Sequence, residues 1–241
     1  MRAGLFVMAK QPISGSSKTR LTPALSLVEA ADLSRCFVLD TIELAIDVAA
    51  EHADLEVFVA GAPATSESWF AEHCPGVHFV AQRGERLGVR LDNVLTDGLA
   101  GGNDLVLAMN SDSPTLPPSN LADGLRRLGD EAVDVVLGPA QDGGYYLIGW
   151  KRPHSRLVRE VEMSTPTVLR DTLAVAADEG LRVELLDTWY DVDEPADLSR
   201  VRADLVRGRR CGPHTAEFFA GRPGLGAVPG AGRAPHESSV R

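Results

Sequence analysis

The chain has 241 residues, a formal net charge of -10, and a composition 44% hydrophobic and 24% charged. That is enough for one domain with a substantial core and too polar for a membrane bundle. No apolar run approaches the roughly 20 residues needed to cross a bilayer, and the acidic balance excludes a general nucleic-acid partner, which requires a basic face. Cys36, Cys74 and Cys211 show no paired spacing, so neither a disulfide framework nor a zinc ribbon is expected, and a reducing cytoplasm fits. The six histidines offer no pair at helical ligand spacing, which argues against a histidine zinc site.

In chain order, strand-like apolar runs occupy residues 4–9, 55–60, 77–81, 105–109, 133–137, 145–148 and 182–186. Helical segments lie between most of them, the alternation of an α/β sheet covered on both faces. The longest helix starts at Ser26, where Ser26 and Glu29 have capping-box spacing and Leu33, Phe37, Leu44 and Val48 share one face. Ser119 is read as the cap of a helix ending at Leu128, and Ser164 or Thr165 before Pro166 as the opening of one ending at Ala177. A last helix runs from Asp193–Pro195 to Val206. Residues 208–241 are rich in Gly, Pro and Arg and read as a disordered tail, placing the folded domain at residues 1–207. The turn chemistry of Gln141-Asp142-Gly143-Gly144 makes the flanking strands an antiparallel pair, so the sheet is mixed but mostly parallel.

Five segments carry chemistry. After the first strand, Lys10, Gly15, Ser16, Lys18 and Arg20 combine flexible backbone with fixed positive charge, as a di- or triphosphate requires. A P-loop is excluded, because Ser17 and Pro12 stand where that motif needs glycine. The run 105–109 ends in Asn110-Ser111-Asp112, so Asp112 projects from a strand's carboxyl end, either toward a phosphate-bound magnesium or as a turn residue before Pro114. Asp191 and Asp193, two apart on an extended segment, face one way and address one cation, or Asp193 caps the next helix. Asp142, Gly143, Gly144 and Tyr145 shape an acceptor pocket or form a plain hairpin turn. Arg83 or Arg90 meets a base or phosphate, or is solvated.

Ala9-Lys10-Gln11-Pro12, Gly15, Lys18-Thr19-Arg20-Leu21, Ser111-Asp112-Ser113-Pro114, Asp142-Gly143-Gly144-Tyr145-Tyr146 and Asp191-Val192-Asp193-Glu194-Pro195 follow one another in an order that resembles one family. This is the little-characterised transferase family called domain of unknown function 2064, related to phospholactate guanylyltransferase within the nucleotide-diphospho-sugar transferase superfamily. The resemblance implies a GT-A-like, Rossmann-type α/β fold and a divalent cation, Mg2+ or Mn2+. It also implies phosphate contacts from Lys18 and Arg20, metal contacts from Asp112 and from Asp191 or Asp193, and an acceptor bordered by residues 142–145. The chain lacks the Leu-Ala-Gly-Gly opening of molybdopterin nucleotidyltransferases and, around Asp112, the D-x-D of GT-A glycosyltransferases.

The expected activity is therefore nucleotidyl transfer, in which a nucleoside triphosphate meets a small phosphorylated acceptor and pyrophosphate leaves. Lys18, Arg20, Asp112 and Asp142 are the expected catalytic residues. Sugar transfer from a nucleotide sugar and noncatalytic nucleotide sensing are the alternatives, and the oligomeric state is left open.

Overall fold

The computed structural model describes residues 1–226. Its seven strands are β1 (Ala3–Lys10), β2 (Leu55–Ala62), β3 (His78–Ala81), β4 (Leu105–Met109), β5 (Val135–Pro139), β6 (Tyr145–Trp150) and β7 (Val183–Leu185). They form one sheet in the order β3-β2-β1-β4-β6-β5-β7. All pairings are parallel except those of β6 with β4 and β5, as the Asp142 turn predicts. The fold is the expected mixed α/β sheet.

Eight helices complete the described chain: α1 (Leu27–Ala50), α2 (Glu67–His73), α3 (Leu87–Ala100), α4 (Pro118–Leu128), α5 (Arg156–Arg159), α6 (Val168–Asp178), α7 (Pro195–Val206) and α8 (Pro213–Ala220). None is long and apolar enough to cross a membrane. Alternation along the strands divides the core between the two faces of the sheet. Leu5, Val7, Leu107 and Met109 pack with Leu39, Ile42 and Ala45 of α1 and Leu121 and Leu128 of α4. Phe6, Val106 and Ala108 face the other way, toward Leu91, Val94 and Leu95 of α3 and Leu157 of α5.

The capping box of α1 is present in full, with the Ser26 hydroxyl accepting from the Glu29 N–H and Glu29 accepting from the Ser26 N–H. Two helix starts differ from the sequence reading. Helix α4 begins at Pro118, which needs no N–H partner there, so Ser119 lies inside the first turn and caps nothing. Helix α6 begins at Val168, because Ser164 adopts a left-handed backbone (φ 64) that a helical residue does not have.

The larger correction concerns the C-terminus. The domain does not stop at residue 207, because α8 folds back against α1 and buries Phe218, Phe219 and Thr215. These phenylalanines join Leu21, Leu25, Leu33, Phe37, Tyr190, Val192, Leu198 and Val201 in a third core. Asp40 of α1 caps the new helix, accepting from the N–H groups of His214 (2.9 Å) and Thr215 (2.8 Å). Arg202 of α7 donates to the carbonyls of Phe219 (3.0 Å) and Leu225 (2.9 Å) and ties down the segment beyond. Short apolar stretches such as Phe218-Phe219 carry too little periodicity to be read as a docked helix. The part of the expected tail at residues 227–241 lies outside the described residues.

Candidate functional site

The site forms where the carboxyl ends of β1, β4, β5 and β7 meet the start of the reversed strand β6. Its segments are joined by backbone hydrogen bonds. The Asn110 N–H donates to the Tyr146 carbonyl (2.9 Å), the Gln141 N–H to that of Trp189 (3.0 Å) and the Val192 N–H to that of Asp112 (2.8 Å). Residues 79 positions apart in sequence, Asp112 and Asp191, thereby come to one place, and Asp142 stands beside them.

Lys18 is the hub. Its backbone is left-handed (φ 48), turning the chain out of the loop after β1 into a 3-10 turn (Thr19–Leu21) whose Leu21 is fully buried. Its side chain, 8% exposed, lies 5.4 Å from the centre of the Phe37 ring. The ammonium reaches Asp112 Oδ1 (2.5 Å), Asp193 Oδ1 (2.7 Å) and the Val192 carbonyl (2.8 Å). Burial pulls the Lys18 pKa down, but the charges of Asp112 and Asp193 outweigh it and hold the pKa above its ordinary value. Lys18 is therefore a fixed positive charge in a partly dry setting, where electrostatic interactions are strong.

Asp193 faces that charge and a second one. Its other oxygen accepts from Arg20 Nη2 at 2.6 Å, so both oxygens hold cations. Burial raises its pKa, and Lys18 and then Arg20 more than reverse this, leaving it below the usual carboxylate range. Helix capping falls instead to Glu194 and Asp197, which form the capping box of α7. Asp191 lacks a cation of its own. Asn110 Nδ2 (3.1 Å) and Ser113 Oγ (2.5 Å) both donate to its Oδ1. Burial, with the nearby charges of Asp112 and Asp142, pushes it up to about 6 despite these bonds.

Asp142 Oδ1 accepts from the Gly144 N–H at 2.9 Å, an Asx turn that fixes the carboxylate at the mouth of β6. Gly143 has φ 91, and a Cβ there would lie 2.0 Å from the Pro166 carbonyl oxygen. Its carbonyl accepts from the Leu169 N–H at 2.9 Å. The 140–144 loop is thus clamped to the segment before α6, and glycine at 143 is required by both conformation and space.

The cleft has two adjoining lobes. One, of about 650 Å³, is lined by Lys10, Ser16, Lys18, Arg20, Arg90 and Asp112 among others. The second, of about 610 Å³, holds Asp112, Asp142, Asp191 and Asp193 above an apolar floor that includes Tyr145. Gly15 sits at φ 82 in the loop after β1, with open space where a Cβ would lie, and lines neither lobe.

Arg83 is not brought to the cleft. It lies in the loop ahead of α3 and pairs with Asp97 of that helix, whereas Arg90, on the first turn of α3, lines the cationic lobe. Asn110 and Ser113, which orient Asp191, escaped the sequence reading. Their one signal is polarity immediately after an apolar strand.

Among the described residues, the trio Asp40, Glu43 and His214 has ligand atoms within 4.8 Å of one another. It lies at the α1–α8 junction, where Asp40 already accepts two backbone N–H groups.

In solved structures, a protein of Desulfovibrio desulfuricans G20 that carries the provisional name nucleotide-diphospho-sugar transferase is similar over 94% of this chain and 97% of its own. The identity is 27% and the TM-score 0.83. CMP:2-keto-3-deoxy-manno-octonic acid synthetase, solved with CTP, is similar over 86% of this chain and all of its own, at 18% identity and a TM-score of 0.56. A nucleotidyl transferase of Methanothermobacter thermautotrophicus is similar over 86% and 99%, at 17% identity and a TM-score of 0.53. The last two share the fold with this chain. No functionally curated protein matches it in sequence. A family model matches residues 45–165, half of the chain, and the protein belongs to that family, described as "uncharacterized protein conserved in bacteria (DUF2064)".

Proposed function

We propose that the protein is a nucleotide-dependent transferase that moves a nucleotidyl group from a nucleoside triphosphate to a small acceptor, releasing pyrophosphate. The observation that carries this reading is the buried Lys18 ammonium, held between Asp112 and Asp193 at the strand ends and flanked by Arg20, Lys10 and Arg90 in one lobe. Four cations face three carboxylates there, which leaves the lobe net positive and suited to an anion. The fold shared with two nucleotidyl transferases supports it.

Asp112 and Asp191 fit a divalent cation, Mg2+ or Mn2+: both are carboxylates lining the acidic lobe, and Asp191 carries repulsion from its neighbours that a cation would relieve. Asp193, with both oxygens on Lys18 and Arg20, serves instead to position those two side chains. When bound, the cation supplies charge neutralisation to the phosphate oxygens. Lys18 and Arg20 then hold the departing phosphates, Asn110 and Ser113 keep Asp191 oriented, and Asp142 borders the acceptor. Catalysis by alignment and charge needs no covalent intermediate with the protein.

A second reading, glycosyl transfer from a nucleotide sugar, is favoured by the name of the Desulfovibrio protein and by Asp142, whose position suits a base for an acceptor hydroxyl. Melting shifts with nucleoside triphosphates and nucleotide sugars, with and without Mg2+ or Mn2+, separate the two. The first reading expects the larger shift from a triphosphate and pyrophosphate as product; a larger shift from a nucleotide sugar, with release of nucleoside diphosphate, replaces it by the second. The three free cysteines suit a cytoplasmic setting.

A further inference from the structure

The two lobes of the cleft differ in charge as well as position. Lys10, Lys18, Arg20 and Arg90 face three carboxylates in the first lobe, whereas the second is lined by five (Asp112, Asp142, Asp191, Asp193 and Glu194), of which Asp112 and Asp193 are paired with Lys18 and Asp193 also with Arg20, leaving Asp142, Asp191 and Glu194 without a cation among the described residues. A divalent cation on Asp112 and Asp191 would leave the second lobe net negative. Its floor and wall are largely apolar, formed by Leu91, Ala108, Ile148 and Met163, with Ser164 and Thr165 at one side. The Tyr145 hydroxyl is turned to the Met163 sulfur (3.8 Å), so it presents no free donor at the floor. The wall is fixed in place, because the Gly143–Pro166 contact and the Leu169–Gly143 hydrogen bond leave little room to rearrange.

From this we infer that the acceptor is an uncharged hydroxyl compound with an apolar body, and that the lobe rejects the phosphorylated acceptor that the sequence suggests. The inference rests on the transferase reading above. A dianionic phosphate ester would enter a lobe of its own sign with no unpaired cation to receive it, and like-charge juxtaposition of this kind disfavours binding. An alcohol meets no such penalty, and its apolar body covers the floor. The step balances simply: the acceptor oxygen forms a bond to the α-phosphorus, the bond from that phosphorus to the pyrophosphate oxygen breaks, and the hydroxyl proton passes to the Asp142 carboxylate.

The test uses the full chain with a saturating nucleotide and Mg2+, its binding confirmed by melting shift. Saturation-transfer NMR then measures matched pairs, 2-phenylethanol and hexanol against their phosphate esters. The alcohols are expected to bind at least about tenfold tighter than their esters. Met163→Lys, which places a cation in the lobe, should shift the preference toward the esters by about tenfold while its own melting curve confirms the fold. Tighter binding of the esters to the native chain overturns the inference, as does failure of every alcohol to bind or an unchanged preference in a folded Met163→Lys. If no nucleotide shifts the melting curve, it is the transferase reading that falls, and the two failures remain distinct.

Discussion

The two lobes are stabilised by different parts of the molecule. The acidic lobe rests largely on the sheet, with Asp112 after β4, Asp142 on the 140–144 turn and a floor shared with the core under α3, and only Asp191 and Asp193 flank Val192 of the third core. The cationic lobe takes Lys10 from β1 and Arg90 from α3, but Lys18 and Arg20 come from one loop, and that loop is held by the third core, in which Leu21 and Phe37 meet Val192, Phe218 and Phe219. An acidic cluster can therefore be read largely from strand ends, while the geometry of the charges proposed to bind phosphate is set with the help of a helix nearly 200 residues further along the chain.

Deleting residues 208–241 should have the largest effect. It removes Phe218 and Phe219, and truncating one buried phenylalanine typically costs about 3–5 kcal/mol, a large share of the roughly 5–15 kcal/mol by which a domain is stable. Loss of a cooperative melting transition, or a fall of more than about 10 °C, is expected. An unchanged transition would show that the third core contributes nothing and that the lobes do not differ in this way.

Substitutions within the lobes come next. Lys18→Met keeps the packing against Phe37 but leaves Asp112 and Asp193 without their shared cation, and both the nucleotide-induced melting shift and about 10³-fold of turnover should be lost. Asp142→Asn should lower turnover by about 10²-fold, in the range of one general base, while the nucleotide shift stays. Equal loss of nucleotide binding in both variants would erase the division into donor and acceptor lobes.

The smallest effect is at the start of α1, where the loop enters the third core. Ser26→Ala removes a helix cap worth about 1 kcal/mol, or roughly 2–4 °C in a protein of this size. The Glu29 carboxyl is held down to about 2 by the Ser26 N–H, then by the Ser26 hydroxyl and then by Arg222. Because its folded pKa lies below its unfolded one, its stabilisation is complete above the ordinary carboxylate range and fades as pH falls toward about 2. The gap in melting temperature between native protein and Ser26→Ala should narrow over that interval. A gap that stays constant with pH would assign the effect to the hydroxyl alone.

Local chemistry was enough to locate the seven strands, the Ser26 cap and the antiparallel turn at Asp142, because period-2 alternation, capping spacing and turn residues act over a few positions. It also marked Lys18, Arg20, Asp112, Asp142, Asp191 and Asp193 as candidates, since charged residues directly after apolar strands stand out. What it left open was the partner of each. Asp193 was readable as cap or metal ligand, and only the fold shows it between Lys18 and Arg20, with Glu194 taking the cap. Arg83 and Arg90 looked alike in sequence, and only the fold shows Arg83, in the loop before α3, paired with Asp97 and Arg90, on the first turn of α3, lining the cleft. Asp40 lies on the same stripe of α1 as Leu33, Phe37 and Leu44, a carboxylate in an apolar row, yet its partners are backbone N–H groups of α8. Pairings of this kind depend on distances across the sheet and between helices far apart in sequence, where desolvation and Coulomb terms act, and the tertiary structure alone sets those distances.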